Sequence, residues 1–149
     1  MIVVKFGGTS VTDPAAIRRA AAVVETRRAR APIVVVSALG GATNLLLEIA
    51  DQSARGQLIL ALRSVESMRT RHLDAAEQLL GAGREAHDVV CEMSAMFDEL
   101  ASLAGALSVL GDLTPRSRDA IAAMGEQLSS LLVAGAFRQA GLPAVHIDA

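Results

Sequence analysis

The sequence has no tryptophan, no tyrosine and only three phenylalanines, so any core must be aliphatic. The same shortage removes the aromatic platforms on which single-stranded nucleic acid stacks. One cysteine, Cys91, excludes an intrachain disulfide, which fits a reducing compartment and is read as a cytoplasmic location. The formal net charge of −2 gives no reason to expect a nucleic-acid partner. No uninterrupted apolar run reaches the roughly 18 residues of a membrane span, so no membrane role is expected. Lys5 and two glycines cut short the apolar start, so it does not read as a secretory leader.

What is present is apolar and helix-prone. Hydrophobic residues make up 52% of the 149, enough for one domain or part of one. Alanine and leucine dominate, which favours helices.

The opening stretch, Met1 to Ser10, organises the rest. Ile2 to Val4 read as a strand buried on both faces, because β-branched residues run unbroken. Lys5 follows near its end, then Gly7-Gly8, then Thr9 and Ser10. Glycines allow a sharp turn and bring backbone N–H groups close to an anion. Asp13-Pro14 reads as a helix start, with Asp13 as N-cap and Pro14 at the first helical position. Strand, glycine turn and helix start together suit phosphate binding, with lysine as a mobile charge. The pattern is not a Walker sequence, because the lysine precedes the glycines. The same residues also fit a plain tight turn whose lysine reaches water.

A helix is expected from Pro14 to about Arg30, with Ile17, Ala20, Ala21 and Val24 on one face. Its arginine-rich end suits a helix C-terminus. Pro32 stops it, and Ile33 to Val36 form a second all-apolar strand. Strand, helix, strand then gives a parallel βαβ unit, with both strand ends at one sheet edge. At that edge comes a second glycine turn, Ser37-Ala-Leu-Gly-Gly-Ala-Thr-Asn44. Thr43 or Asn44 either caps the following helix or faces a ligand. That helix runs from about Asn44, with Gly56 as its C-cap.

Residues 57–111 read as a helical hairpin, Leu58 to Leu80 and Glu85 to Leu110 around Gly81-Ala-Gly83. Leu62, Val65, Met68, Leu73 and Leu79, and Val89, Met93, Met96, Leu100, Leu103 and Leu107, repeat at helical spacing. The stripes serve packing in this reading, with partner contact as the alternative. His72 and His87 read as ordinary helix residues and Cys91 as a small buried group, with no metal motif. Thr114-Pro115 starts a further helix that runs to about Ala140. Ile121, Met124, Leu128, Leu131 and Leu132 share one side, and Glu126, Val133 and Phe137 lie on another. Glu126 is thus either solvated or half buried towards a ligand. Ala144 to Ile147 reads as a third short strand.

These stretches together resemble the aspartokinase family. Lys5-Phe-Gly-Gly-Thr-Ser-Val11 is similar to the family's opening motif and Val36-Ser-Ala-Leu-Gly-Gly-Ala-Thr-Asn-Leu-Leu46 to its second. Leu113-Thr-Pro-Arg-Ser-Arg-Asp-Ala-Ile121 with Met124-Gly-Glu-Gln-Leu-Ser129 resembles its third. The resemblance spans the whole chain. It implies the amino-acid kinase α/β fold, a three-layer α/β/α sandwich with a mainly parallel sheet and an inserted helical hairpin. It implies transfer of the ATP γ-phosphoryl group to the side-chain carboxylate of L-aspartate, giving 4-phospho-L-aspartate for lysine, threonine and methionine synthesis. Mg2+ would arrive with the nucleotide. Lys5 would be catalytic, contacting the transferring phosphate. Gly7, Gly8, Thr9 and Ser37 would line the phosphate side, and Thr43 and Glu126 would hold aspartate. The family's kinase domain is nearly twice as long. Residues 1–149 therefore correspond to its N-terminal part, without the nucleotide-base half or the regulatory domains. The expectation is an inactive fragment of a homo-oligomeric enzyme. The alternatives are an amino-acid kinase-fold enzyme with another acceptor, and a non-catalytic assembly module.

Overall fold

The computed structural model describes residues 1–147. Strand β1 spans Ile2–Phe6 and strand β2 Pro32–Val36. Five α-helices are described: α1 Pro14–Glu25, α2 Ala42–Ala54, α3 Leu58–Leu80, α4 Arg84–Leu110 and α5 Pro115–Gln139. Short 3-10 turns occupy Gly8–Val11 and Arg28–Arg30.

Local chemistry explains most of the boundaries. The Asp13 carboxylate accepts from the Ala16 N–H at 2.7 Å, and Pro14 opens α1. Thr114 caps α5 by accepting from the Ser117 N–H at 3.1 Å, with Pro115 at the first position. α4 ends on Gly111, whose φ of 67° is strained for a residue with a Cβ. α1 stops at Glu25, short of the expected Arg30. Pro32 disfavours a helical residue before it. The chain tightens into the Arg28–Arg30 turn and leaves through Ala31 at φ 45°.

β1 and β2 pair in parallel, Ile2 with Pro32 through to Phe6 with Val36, as the βαβ reading requires. β1 is not buried on both faces as expected, and β2 shows the same alternation. Ile2, Val4, Phe6, Val34 and Val36 are half buried, whereas Val3 is 67% and Ile33 49% exposed. Among the described residues, helices cover one face of the sheet. Lys5 and Val35 lie on the open face. The expected third strand is absent too. Ala144–Ile147 makes no ladder, and Val145 and Ile147 are exposed. Apolar alternation supplies propensity, but a strand exists only when a neighbour takes its hydrogen bonds. This segment is instead tied to α5, where Ser130 Oγ and His146 Nε2 lie 2.9 Å apart and Arg138 donates to the Ala144 carbonyl. Residues 148 and 149 lie outside the described residues.

α5 is the central helix, touching α1, α2, α3, α4 and β2. Both of its apolar sides are buried, Ile121, Leu128 and Leu132 on one and Val133 and Phe137 on the other. α3 and α4 pack on each other and on α2 and α5, so the hairpin stripe belongs to the core. Its outer members, Leu62 and Leu103, are exposed. Cys91 is exposed rather than buried. It lies two residues from both Val89 and Met93, which point inward, and at about 100° per residue that turns it away from the core. His72 is wholly buried, edge-on to Phe97 with ring centroids 5.5 Å apart. α4 and α5 have the length and apolar content of membrane spans, but both insert apolar positions into this core.

Candidate functional site

Parallel pairing places the C-terminal ends of β1 and β2 side by side. The Ser37 N–H donates to the Phe6 carbonyl at 3.0 Å, so the two glycine loops leave one sheet edge together. The first loop closes through the Ser10 N–H on the Gly7 carbonyl at 2.8 Å. It lies against the second: a Cβ on Gly8 would sit 3.6 Å from the Ala38 carbonyl and 4.0 Å from Ser37 Oγ. Gly8 and Ser37 are thus neighbours. Thr9 is exposed on the same turn.

The second loop is packed more tightly. A Cβ on Gly40 would overlap Thr12 Oγ1 and sit 3.1 Å from Thr12 Cβ, so a side chain there would force Thr12 to move. Gly41, at φ 80°, precedes α2. Neither Thr43 nor Asn44 caps that helix; both lie inside its first turn, and Gly41 occupies the cap position without a side chain. The N–H groups of Thr43 and Asn44 therefore lack intrahelical acceptors at the positive end of the helix.

The third contribution comes from α5. A Cβ on Gly125 would lie 2.9 Å from Ala38 Cβ and 3.0 Å from Leu46 Cδ1. This glycine lets α5 close onto the second loop and α2, one residue before the half-buried Glu126. Arg118, also on α5, forks onto Asp51 of α2 and ties the same two helices. Lys5, Thr43 and Glu126 have no side-chain hydrogen bond or ion pair with another described residue. Three residues further along α5, Ser129 is fully buried and its hydroxyl has no partner among the described residues.

The structure thus brings Gly7, Gly8, Thr9 and Ser37 to one edge, with Thr43 opening α2 beside it. Glu126 stands next to the α5 contact with that loop. Lys5 lies on the open sheet face just before the first loop. Two clefts flank this rim. One, of about 500 Å³, is lined by Thr12, Asp13, Leu39 and the α3 residues Thr70, Arg71 and Asp74, among others. The other, of about 360 Å³, runs along α2 from Asn44 to Gln57. Neither is lined by Lys5, Ser37, Thr43 or Glu126; Lys5 is exposed and the other three are half buried.

Sequence reasoning missed Gly125 and Arg71. A glycine inside a helix is a readable sign of close approach, but what approaches is not. Arg71, which donates to the Gly40 carbonyl from α3, looks like any solvated arginine on an amphipathic helix.

The chain matches the model of the amino acid kinase family over residues 1–149. It is 30% identical to lysine-sensitive aspartokinase 3 of Escherichia coli over 99% of its own length and 31% of that protein. It is 27% identical to aspartokinase 2, chloroplastic, of Arabidopsis thaliana, over 99% of itself and 26% of the relative. Among solved structures it resembles E. coli aspartokinase III in complex with aspartate and ADP, with a TM-score of 0.75 and 27% identity over 96% of this chain and 30% of that one. The same enzyme in complex with lysine and aspartate gives a TM-score of 0.78 over 95% of this chain. The chain therefore spans less than a third of the length of these relatives.

Proposed function

The chain belongs to the amino acid kinase family, and we propose that it is the N-terminal part of an aspartate kinase. The parent protein would transfer the γ-phosphoryl group of ATP to the side-chain carboxylate of L-aspartate. A carboxylate oxygen forms the new bond to phosphorus, the bond to the bridging oxygen breaks, and ADP leaves with 4-phospho-L-aspartate as the other product. Such a transfer depends on alignment and charge neutralisation more than on covalent help from the protein. Lys5 and the loop N–H groups around Gly7, Gly8 and Thr9 would meet the phosphoryl oxygens, with Ser37 on the same side. Thr43 would hold the amino acid, and Glu126 would pair with its ammonium group. Mg2+ would supply further charge neutralisation on the phosphates. It would arrive with the nucleotide.

The observation that carries this reading is the contact of Gly125 with Ala38 and Leu46, which sets the Glu126 helix against the second glycine loop. The aspartate and ADP bound to the E. coli neighbour support the choice of ligands. A cytoplasmic location and a homo-oligomeric parent belong to the same proposal; the names of the plant relatives place those proteins in the chloroplast.

The test is an amide-resolved titration of this chain with L-aspartate, L-glutamate and N-acetylglutamate, and separately with MgATP. Shifts at Thr43 and Glu126 with aspartate alone among the acceptors support the proposal. A response to another acceptor would reassign the substrate, and no response to any would remove the ligand site. ADP release by the 149 residues alone is expected to be negligible; full turnover would overturn the assignment as an incomplete enzyme.

A further inference from the structure

The second glycine loop is gripped from both sides. Thr12, just beyond the first loop, presses on Gly40 so closely that a Cβ there would overlap its hydroxyl. From the other side Arg71 of α3 reaches across and donates through Nη2 to the Gly40 carbonyl. Its Nη1 would lie 4.0 Å from a Cβ on Gly41. Gly41 has φ 80° and is followed within two residues by Thr43. An exposed arginine on a hairpin otherwise devoted to packing therefore makes a charge-assisted bond to the corner that sets the start of α2. Without it, the Gly40 carbonyl loses its charged donor, and the glycine pair is free to take other backbone angles.

We propose that Arg71 is a positioning residue: it fixes the Gly40–Gly41 corner, and through it the direction in which Thr43 and the first N–H groups of α2 point. The link to ligand rests on the reading that Thr43 contacts an amino-acid substrate. The positioning itself does not.

The experiment is residue-resolved hydrogen exchange on the full chain, combined with an L-aspartate titration, for wild type, Arg71→Ala, Arg71→Lys and the control Arg63→Ala. Arg63 is an exposed arginine on the same helix with no side-chain partner among the described residues. In Arg71→Ala, the Ala42 N–H, bonded to the Leu39 carbonyl at 2.8 Å, and the Leu45 N–H, bonded to Gly41, should exchange roughly fivefold faster or more. Core amides around Phe97 should keep their rates. Arg71→Lys should recover part of the protection, and Arg63→Ala should match wild type. The aspartate midpoint should rise by a similar factor in Arg71→Ala and fall back in Arg71→Lys. Equal Ala42 and Leu45 exchange in wild type and Arg71→Ala would overturn the proposal. So would faster exchange spread evenly into the α4 core. If wild type ignores aspartate, the substrate reading fails, while the exchange comparison still decides the role of Arg71.

Discussion

Phe97, near the middle of α4, is wholly buried against His72 and under the Arg69 guanidinium, 5.6 Å from its ring centroid. Lys5, at the sheet edge, is exposed and has no partner among the described residues. The two positions stand for two regions. The hairpin and α5 hold the fold through aliphatic contact, with His72 and Ser129 as their fully buried polar residues among the described residues. The rim is shaped by glycines and leaves Lys5, Thr43 and Glu126 without side-chain partners among the described residues. If the rim holds the proposed ligands, stability and ligand chemistry are separated in the molecule, and substitutions should sort accordingly.

The sharpest test of that separation is Phe97→Ala. Emptying a fully buried ring site should cost about 3–5 kcal/mol, read as a lower urea midpoint at unchanged m. A cost below about 1 kcal/mol would mean that the hairpin is not the stable region.

Gly125→Val tests the seam between the two. Its side chain would meet Ala38 and Leu46 at contacts no relaxed structure tolerates, so a loss of about 1–3 kcal/mol is expected. Amide shifts at Ala38 and Thr43 should accompany it.

His72 tests the hairpin by pH. Nδ1 lies 2.8 Å from the Met68 carbonyl, which can only accept, so the proton sits on Nδ1. Nε2 is then a buried acceptor without a partner among the described residues. Burial lowers the pKa below its ordinary value of 6.5, the Met68 bond opposes this, and the charge of Arg71 adds to the lowering. The unfolded chain therefore takes up a proton that the folded chain refuses. Stability is retained above pH 6.5 and declines as pH falls below it, by at most about 1.4 kcal/mol per pH unit from this group. Urea melts from pH 7.5 to 5 on wild type and His72→Gln check this; equal slopes would remove His72 as the cause.

The smallest effects should fall on the surface. Lys5→Ala and Cys91→Ser should each change stability by less than about 0.5 kcal/mol. Lys5→Ala should nonetheless abolish any MgATP-dependent shift at Gly7 and Gly8. A large stability loss on removing Lys5 would assign it to the fold rather than to the ligand.

Much of this was readable in the chain. Asp13-Pro14 and Thr114-Pro115 marked helix starts that the structure reproduces, because capping depends on residues three apart. The helical spacing of Val65, Met68, Val89, Met93 and Leu100 marked the core stripe. Cys91 was misplaced because its small apolar side chain carries no sign of which way the helix turns it. Val3 reads as part of a strand buried on both faces, since β-branched residues read alike whether or not a helix covers them. The third strand failed for a related reason: Val145 and Ile147 carry the propensity but cannot supply the neighbour. Gly125 and Arg71 act on residues 87 and 31 positions away, Ala38 and Gly40, and nothing local announces those partners.

The sequence by itself determined the capped starts of α1 and α5, which helix sides are apolar, and that two glycine loops follow two parallel strands. Those properties rest on neighbours within a turn or two of chain. Only the tertiary structure decided that α5 closes onto the second loop at Gly125, that Arg71 grips that loop, and that one sheet face stays open. Contacts between distant segments depend on how whole surfaces fit together, and a linear pattern does not record that fit.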